Sequence, residues 1–484
     1  MRFPVILAVF FCLALLGVIG CQAGEGTAIN ASDSDPVVMA RVEIPEDAES
    51  LGLPVYEIIE DDNGECYALV LATQKQLDDT WASYKIIAKH LPNNSYLIGK
   101  SKKASAHAKA AQAAKILFDD GEWIVAQYKP GVEETLAELG FELKLMNETP
   151  KVFVDSETSD EIEELASRLT VNSKVKEMMG KITSKEVVSY IAFLSGETPV
   201  SLDSGSYTIK TRLTDSGTPV ENAIKYVAKE LNKTGKLSVK TVLWQKTAYD
   251  SWEETQKVFK CSNIVAELTG SKKPNEIIIL IAHLDSINED DPSEPAPGAD
   301  DNASGSAALL TIAKYMSNYK FDRTIRFVFS TGEEQGLLGS QRYVQSLSSK
   351  EKIVAVMNLD MIAYNTQSPL PVHRVKTRNK KVDPKGYKAD MPIANMFKSV
   401  VSAYKLNTYI QTVFTHDGEP DGDQDSFWTK GYPAIWVIED DYNDYNEDNM
   451  HTGNDKLSTI TNHNYCTAIT KATLGTAAHL ANPR

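Results

Sequence analysis

The chain predicts an α/β fold: a mostly parallel sheet covered by helices on both faces, preceded by a smaller α+β domain. Four apolar runs, Glu276–Ala282, Arg326–Ser330, Val354–Leu359 and Ala434–Ile438, are too uniformly hydrophobic for a sheet with one face in water. Helical patterns lie between them, Ser304–Asn318 and Gly339–Ser346 among them, and buried strands alternating with helices imply parallel pairing. A third observation concerns placement. His283, Glu333-Glu334 and Asp360 each follow closely on one of these runs, at the carboxyl ends where such sheets gather their functional groups.

The elements follow in order. Arg2 and the apolar run Phe3–Ile19 form a signal-peptide pattern, so residues 1–20 are processing sequence. Val18-Ile19-Gly20-Cys21 resembles the bacterial lipoprotein cleavage box, with a plain signal peptide cut near Ala23 as the alternative. A lipid on Cys21 would anchor the chain to a membrane without a transmembrane helix. Residues 21–36 are Gly, Ala, Ser, Asp and Asn, a tether too polar to fold. Residues 37–155 then read as the small α+β domain. Leu53–Ile59 and Cys66–Leu71 flank the tight-turn signal Asp61-Asp62-Asn63-Gly64. Gln74–Lys89 reads as a helix, Trp123–Gln127 as a strand, Gly131–Leu139 as a helix and Glu142–Leu145 as a strand, and no chemical motif stands out among them. A helical connector, 156–206, precedes the main domain at 207–484. That domain opens with Tyr207–Leu213, an amphipathic helix at Pro219–Asn232 and strands at Ser238–Trp244 and Cys261–Leu268.

With 484 residues and 42% apolar content the chain has ample core, and its net charge of −16 argues against nucleic acid as a partner. Once Cys12 is removed and Cys21 used, Cys66, Cys261 and Cys466 remain, an odd number with no ligand spacing; a Cys261–Cys466 bridge stays open.

The chemistry lies in a set of imidazoles and carboxylates, ligand types that zinc accepts. His283-Leu284-Asp285 closes a strand, and alternation places Asp285 where it can accept the outer imidazole N–H. Gly298–Gly305 is a polar turn carrying Asp300 and Asp301 and opening an Ala-rich helix, with Asn302 or Ser304 as its cap. Glu333-Glu334 offers one ligand and one proton carrier. Asp360 ends its strand, and His451 lies in a Tyr/Asn/Asp-rich loop. One carboxylate shared by two ions, with a His and a further carboxylate on each, leaves room between them for water, as in co-catalytic hydrolases.

Ala282-His283-Leu284-Asp285-Ser286, Gly298–Gly305, Gly332-Glu333-Glu334-Gln335-Gly336, Asn358-Leu359-Asp360-Met361 and Met450-His451-Thr452 resemble the two-zinc aminopeptidases of metallopeptidase family twenty-eight. Ser426-Phe427, Gly431-Tyr432-Pro433 and Asn443-Asp444-Tyr445-Asn446 are also similar to its bacterial leucine-preferring members, and the likeness covers about Tyr207 to Leu480. It implies a zinc-exopeptidase fold with two zinc ions: Asp301 bridging, His283 and Asp360 on one ion, Glu334 and His451 on the other. It further implies Glu333 as general base, Asp285 as the orienting carboxylate, and peptide N-termini as substrate. Relatives place an oxyanion-stabilising Tyr shortly before the Ser-aromatic pair. Asp417–Asp425 contains none, so Tyr409, Tyr432, Tyr445 or the zincs alone stand in for it. Alternatives within the fold are a one-zinc glutaminyl cyclase, a carboxypeptidase or a dipeptidase; outside catalysis, a receptor-like relic, which the full ligand set disfavours. The expected location is the bacterial cell envelope, or outside the cell if Cys21 carries no lipid.

Overall fold

The computed structural model describes residues 36–44, 51–60, 66–80, 82–90, 96–101, 103–129, 132, 135–136, 139–146, 150, 157–250, 255–348, 350–381 and 383–484. The signal segment, Cys21, most of the tether, the Asp61–Gly64 turn and much of 131–139 lie outside them. The chain divides into two compact units. Residues up to Phe153, with Thr247–Val258 and Lys380–Lys385, form the first, and Val154–Lys246, Phe259–Asn379 and Gly386–Arg484 form the second.

In the first unit the order is β1 (Val37–Glu43), β2 (Val55–Glu60), β3 (Cys66–Thr73), α1 (Gln74–Asp78), β4 (Tyr84–Lys89), β5 (Tyr96–Lys100), α2 (Ala104–Ala113), β6 (Ile116–Asp119), β7 (Trp123–Gln127) and β8 (Glu142–Leu145). Its two sheets run β2-β3-β1-β4 and β6-β7-β5-β8, the same order of second, third, first, fourth used twice. An apolar layer that includes Met39, Leu69, Tyr96, Ile98 and Val125 draws on both sheets. The helix expected across Gln74–Lys89 stops at Asp78. A capping box between Thr73 and Gln76 starts it, but Tyr84–Lys89 pairs antiparallel with β1, Val42 opposite Tyr84 and Arg41 opposite Lys85. The β-branched Ile86-Ile87 pair and the open edge of β1 outweigh the helix propensity of the Lys and Ala residues.

The second unit opens with α3 (Glu157–Ser167), α4 (Ser173–Lys181) and α5 (Ser184–Leu194), the segment expected as a connector. The hairpin β9 (Val200–Leu202) and β10 (Gly205–Tyr207) follows, then α6 (Thr218–Asn232), which buries Val220, Ala223, Ile224, Val227 and Leu231 along one stripe. Next come β11 (Ser238–Asp250), β12 (Thr255–Leu268), β13 (Lys273–His283), α7 (Ala303–Met316), β14 (Arg323–Ser330), α8 (Leu338–Gln345) and β15 (Lys352–Leu359). The chain ends with β16 (Val372–Lys376), α9 (Pro384–Ala403), β17 (Gln411–Thr415), α10 (Gln424–Thr429), β18 (Ala434–Glu439) and α11 (His463–Ala481).

An eight-stranded sheet runs β11-β12-β14-β13-β15-β18-β16-β17. Its centre, β14-β13-β15-β18, is parallel throughout, while β12 and β16 join it antiparallel. On one face Ile277, Ile279 and Ile281 pack with Tyr343 and Val344 of α8 and Phe427 and Trp428 of α10. On the other, α7 and α11 lie against β13 and β14. Both faces are thus covered, which is why the central strands read as unbroken apolar runs. α7 is buried almost throughout, between the sheet, α5 and α11, and its Ala, Gly and Ser residues permit that close approach. Cys261 and Cys466 are both buried free thiols, so no bridge joins them. No helix among the described residues is long and apolar enough to cross a membrane.

Candidate metal centre

Parallel pairing sets the carboxyl ends of β14, β13 and β15 side by side, with His283 opposite Ser330 and Ile281 opposite Asn358. His283, Glu333-Glu334 and Asp360 therefore leave the sheet at one edge, and the loops after β13 and β18 bring in Asp301 and His451. His283, Asp285, Asp301, Glu333, Glu334, Asp360 and His451 thus converge there.

Asp301 lies at the middle. Its Oδ1 is 3.0 Å from Nε2 of His283 and its Oδ2 is 3.1 Å from Nε2 of His451. Asp360 Oδ1 stands 3.1 Å from His283 Nε2, and Glu334 Oε2 stands 3.0 Å from His451 Nε2. Two tetrahedral ligands, each about 2.0–2.1 Å from one zinc ion, stand about 3.3 Å apart, close to these spacings. The donor sets His283, Asp301, Glu334 and His283, Glu333, Asp360 each draw within 4.8 Å. Glu334 Oε1 is buried without a hydrogen-bond partner, an arrangement that a cation would relieve. The residues present fit metal ions.

The surroundings hold this geometry. Asn302 caps α7, its Oδ1 accepting from Gly305 N at 2.8 Å, while its Nδ2 donates to the Leu359 carbonyl beside Asp360. Gly298 has φ +49°, and a Cβ there would stand 2.2 Å from the Asp301 carbonyl, so only glycine suits the turn. Asp455 accepts the backbone N–H groups of Asp300 and Asp301 at 2.9–3.1 Å. Asp285 is fully buried. Its carbonyl lies 3.2 Å and its carboxylate 3.6 Å from His283 Nδ1, and Thr214 donates to its Oδ2 at 3.0 Å.

Sequence reasoning missed Arg212. Its buried guanidinium donates to the carbonyls of Leu194, Leu284, Pro297 and Gly298, tying the His283 loop to the Asp301 turn. Burial lowers this group to about 10, with Asp455 and Asp285 opposing, so it remains a cation at neutral pH. Its partners are all main-chain atoms, so no residue pattern signals it. Of the three tyrosines considered, Tyr409 is exposed and Tyr432 packs beside Phe427 and Ala434, at the far end of β18. Tyr445 packs with Trp436, Ile438, Met361 and Met450, the last two being next in sequence to Asp360 and His451, and its hydroxyl donates to Met450 Sδ at 3.0 Å.

The electrostatics follow from crowding carboxylates out of water. Burial raises Glu333 well above the carboxylate range; Asp360 and Glu334 add to this and His283 opposes it. Burial and the Asp301 charge push Glu334 up to about 7 against the pull of His451. Burial raises Asp360 as well. Burial also acts to raise Asp301, but hydrogen bonds from His283 and His451 outweigh it and hold this carboxyl below its usual range. Burial would lower both histidines, yet the surrounding carboxylates keep each well above the ordinary imidazole value. Such a pole of negative charge awaits cations.

Residues 263–475 match the profile of Peptidase family M28 and carry a domain of that family. Aminopeptidase Y of Saccharomyces cerevisiae is 34% identical over 189 residues, 39% of this chain and 31% of that protein. Leucine aminopeptidase 1 of Sclerotinia sclerotiorum is 31% identical over 228 residues, 46% of this chain and 56% of that protein. The chain thus spans about a third to just over half of these relatives. Among solved structures, LapB of Legionella pneumophila aligns over 80% of this chain and 100% of its own, with a TM-score of 0.56 at 19% identity. LapA aminopeptidase of the same organism gives 0.54 over 81% and 99%. Both share the fold.

Proposed function

We propose that this chain, through its Peptidase family M28 domain, is a zinc-dependent aminopeptidase that removes residues from peptide N-termini with two ions per chain. One observation carries the reading: Asp301 turns one carboxylate oxygen to His283 Nε2 and the other to His451 Nε2, at 3.0 and 3.1 Å. In this assignment His283 and Asp360 hold one ion, Glu334 and His451 hold the other, and Asp301 belongs to both. Bound there, zinc would supply Lewis acidity toward a carbonyl and acidify water.

The chain's own residues do the rest. Burial, and after it the neighbouring carboxylates, raise the proton affinity of Glu333, which suits a group taking a proton from water and returning it to the leaving amine. Asp285 keeps His283 in the tautomer whose Nε2 faces inward. Asp360 offers negative charge to the substrate's α-ammonium, placing the first peptide carbonyl at the centre. Tyr445 is the tyrosine best placed to donate to a developing oxyanion. In the same reading Cys21 carries lipid and holds the enzyme at the bacterial cell envelope.

Leu-p-nitroanilide and its N-acetyl analogue test the end specificity. Loss of an oriented, charge-assisted contact costs roughly 1.5–3 kcal/mol, so acetylation should lower kcat/KM by tens to above a hundredfold. Comparable values for the two substrates would defeat the aminopeptidase reading and leave a metal-dependent hydrolase.

A further inference from the structure

His283 and His451 present the same atom, Nε2, to the shared carboxylate, so in both rings Nδ1 is the atom that must be held from behind. At His283 that hold is Asp285. At His451 the group behind Nδ1 is Glu289, whose Oε1 lies 3.0 Å away. The contact is doubled through the main chain, because Glu289 N donates to the His451 carbonyl at 2.7 Å. The Glu289 loop is itself pinned: Asn288 Oδ1 accepts from Asp290 N at 3.1 Å and Asn288 Nδ2 donates to the Pro295 carbonyl at 3.1 Å. His451 needs such support more than His283 does, since it stands on a loop with φ +57°, a conformation that non-glycine residues rarely adopt.

We infer that Glu289 is a positioning residue for the second ion, fixing His451 from behind as Asp285 fixes His283; this rests on the two-ion reading of the centre. A carboxylate at 3.0 Å selects the Nδ1–H tautomer, leaves the Nε2 lone pair for metal and increases its basicity. Glu289 meets Nδ1, the ring atom opposite the one that faces Asp301, and so would act through His451. The two holds differ in kind and setting: Asp285 meets His283 Nδ1 through its main-chain carbonyl at 3.2 Å with its carboxylate at 3.6 Å, whereas Glu289 meets His451 Nδ1 through its carboxylate at 3.0 Å. Asp285 is sealed from water, whereas the Glu289 side chain is 62% exposed, so its hold on the ring is the looser and more salt-sensitive of the two.

Zinc titration of the chelator-stripped full chain, followed with a competing chromophoric chelator, tests this without any substrate. Wild-type protein should take up two equivalents. Glu289→Ala should bind the first equivalent normally and the second about 10–100-fold more weakly, with Glu289→Gln intermediate because its amide oxygen still accepts. Metal-free Glu289→Ala should melt within a few degrees of wild type. An unchanged second equivalent overturns the inference, and so does equal weakening of both equivalents with a large fall in melting temperature, which would mark a loop scaffold. Wild-type protein that takes up a single equivalent overturns the two-ion reading instead. Two equivalents with no cleavage of free N-termini would leave this inference standing and remove the aminopeptidase assignment.

Discussion

The two halves of the metal centre are chemically alike and built differently. His283 ends a strand buried on both faces, and its side chain is 1% exposed; Arg212, Asn302 and Asp285 brace its loop and the Asp301 turn. His451 sits in a loop at positive φ, its side chain 28% exposed, held by Glu289 and by the carboxylates it faces. One half is part of the core. The other is a loop aimed at it, which on the proposed two-ion reading would let the second ion exchange while the fold stays intact.

The largest effect should come from Glu333→Gln, expected to lose about 10²–10⁴ in kcat while zinc content stays at the wild-type level. Retained turnover would show that the buried half contributes ligands only. Asp301→Asn comes next. It belongs to both halves, so both ions should weaken by more than about a hundredfold, given that even outer partners of a ligand cost about 10–100-fold. Loss of one ion alone, read by metal analysis, would make Asp301 a member of one half.

The comparison is probed most directly in metal-free protein by chemical denaturation. His283→Ala strands Asp301 and Asp360 without their buried partner and should cost about 3–5 kcal/mol. His451→Ala, at a more exposed position, should cost about 1 kcal/mol or less. Equal costs would erase the distinction between core and loop.

Proton concentration acts on both halves at once. In metal-free protein His283, His451, Glu333 and Glu334 all hold protons more tightly than usual, Glu334 up to about 7. Cations must displace those protons, so zinc affinity should rise from about pH 6 to 8, roughly tenfold per pH unit for each proton released. Calorimetry in buffers of different ionisation enthalpy counts them, and an affinity that falls with rising pH would contradict this electrostatic account.

The central sheet was legible because β13, β14, β15 and β18 are buried on both faces and carry no polar alternation to confuse them with helices. β16 and β17 were not. Val372–Lys376 holds His373, Arg374 and Lys376, and Gln411–Thr415 forms the half-buried edge, so neither stands out as an apolar run. In the first unit Tyr84–Lys89 was misread because its pairing partner, β1, lies more than forty residues away in sequence. His283 and Asp360 were legible because an imidazole or a carboxylate directly after a buried strand is unusual, whereas Asp301 and His451, in loops well past β13 and β18, were legible only through their motifs. Arg212 and Glu289 were not, because their roles depend on which carbonyl or imidazole the folded loops set before them.

The parity of β13 carries a last consequence. Ile277, Ile279 and Ile281 share one core face, and His283 continues that phase two residues on. The strand therefore acts as a ruler whose apolar gradations decide where the first imidazole points. Deleting one residue among Ile277–Ile281 would leave every ligand in the sequence, yet it would force a choice: either the isoleucines keep their face and His283 turns away, or His283 keeps its aim and the core turns inside out. Selection on the chemistry and selection on the fold are here the same selection, exercised at residues that never meet a substrate.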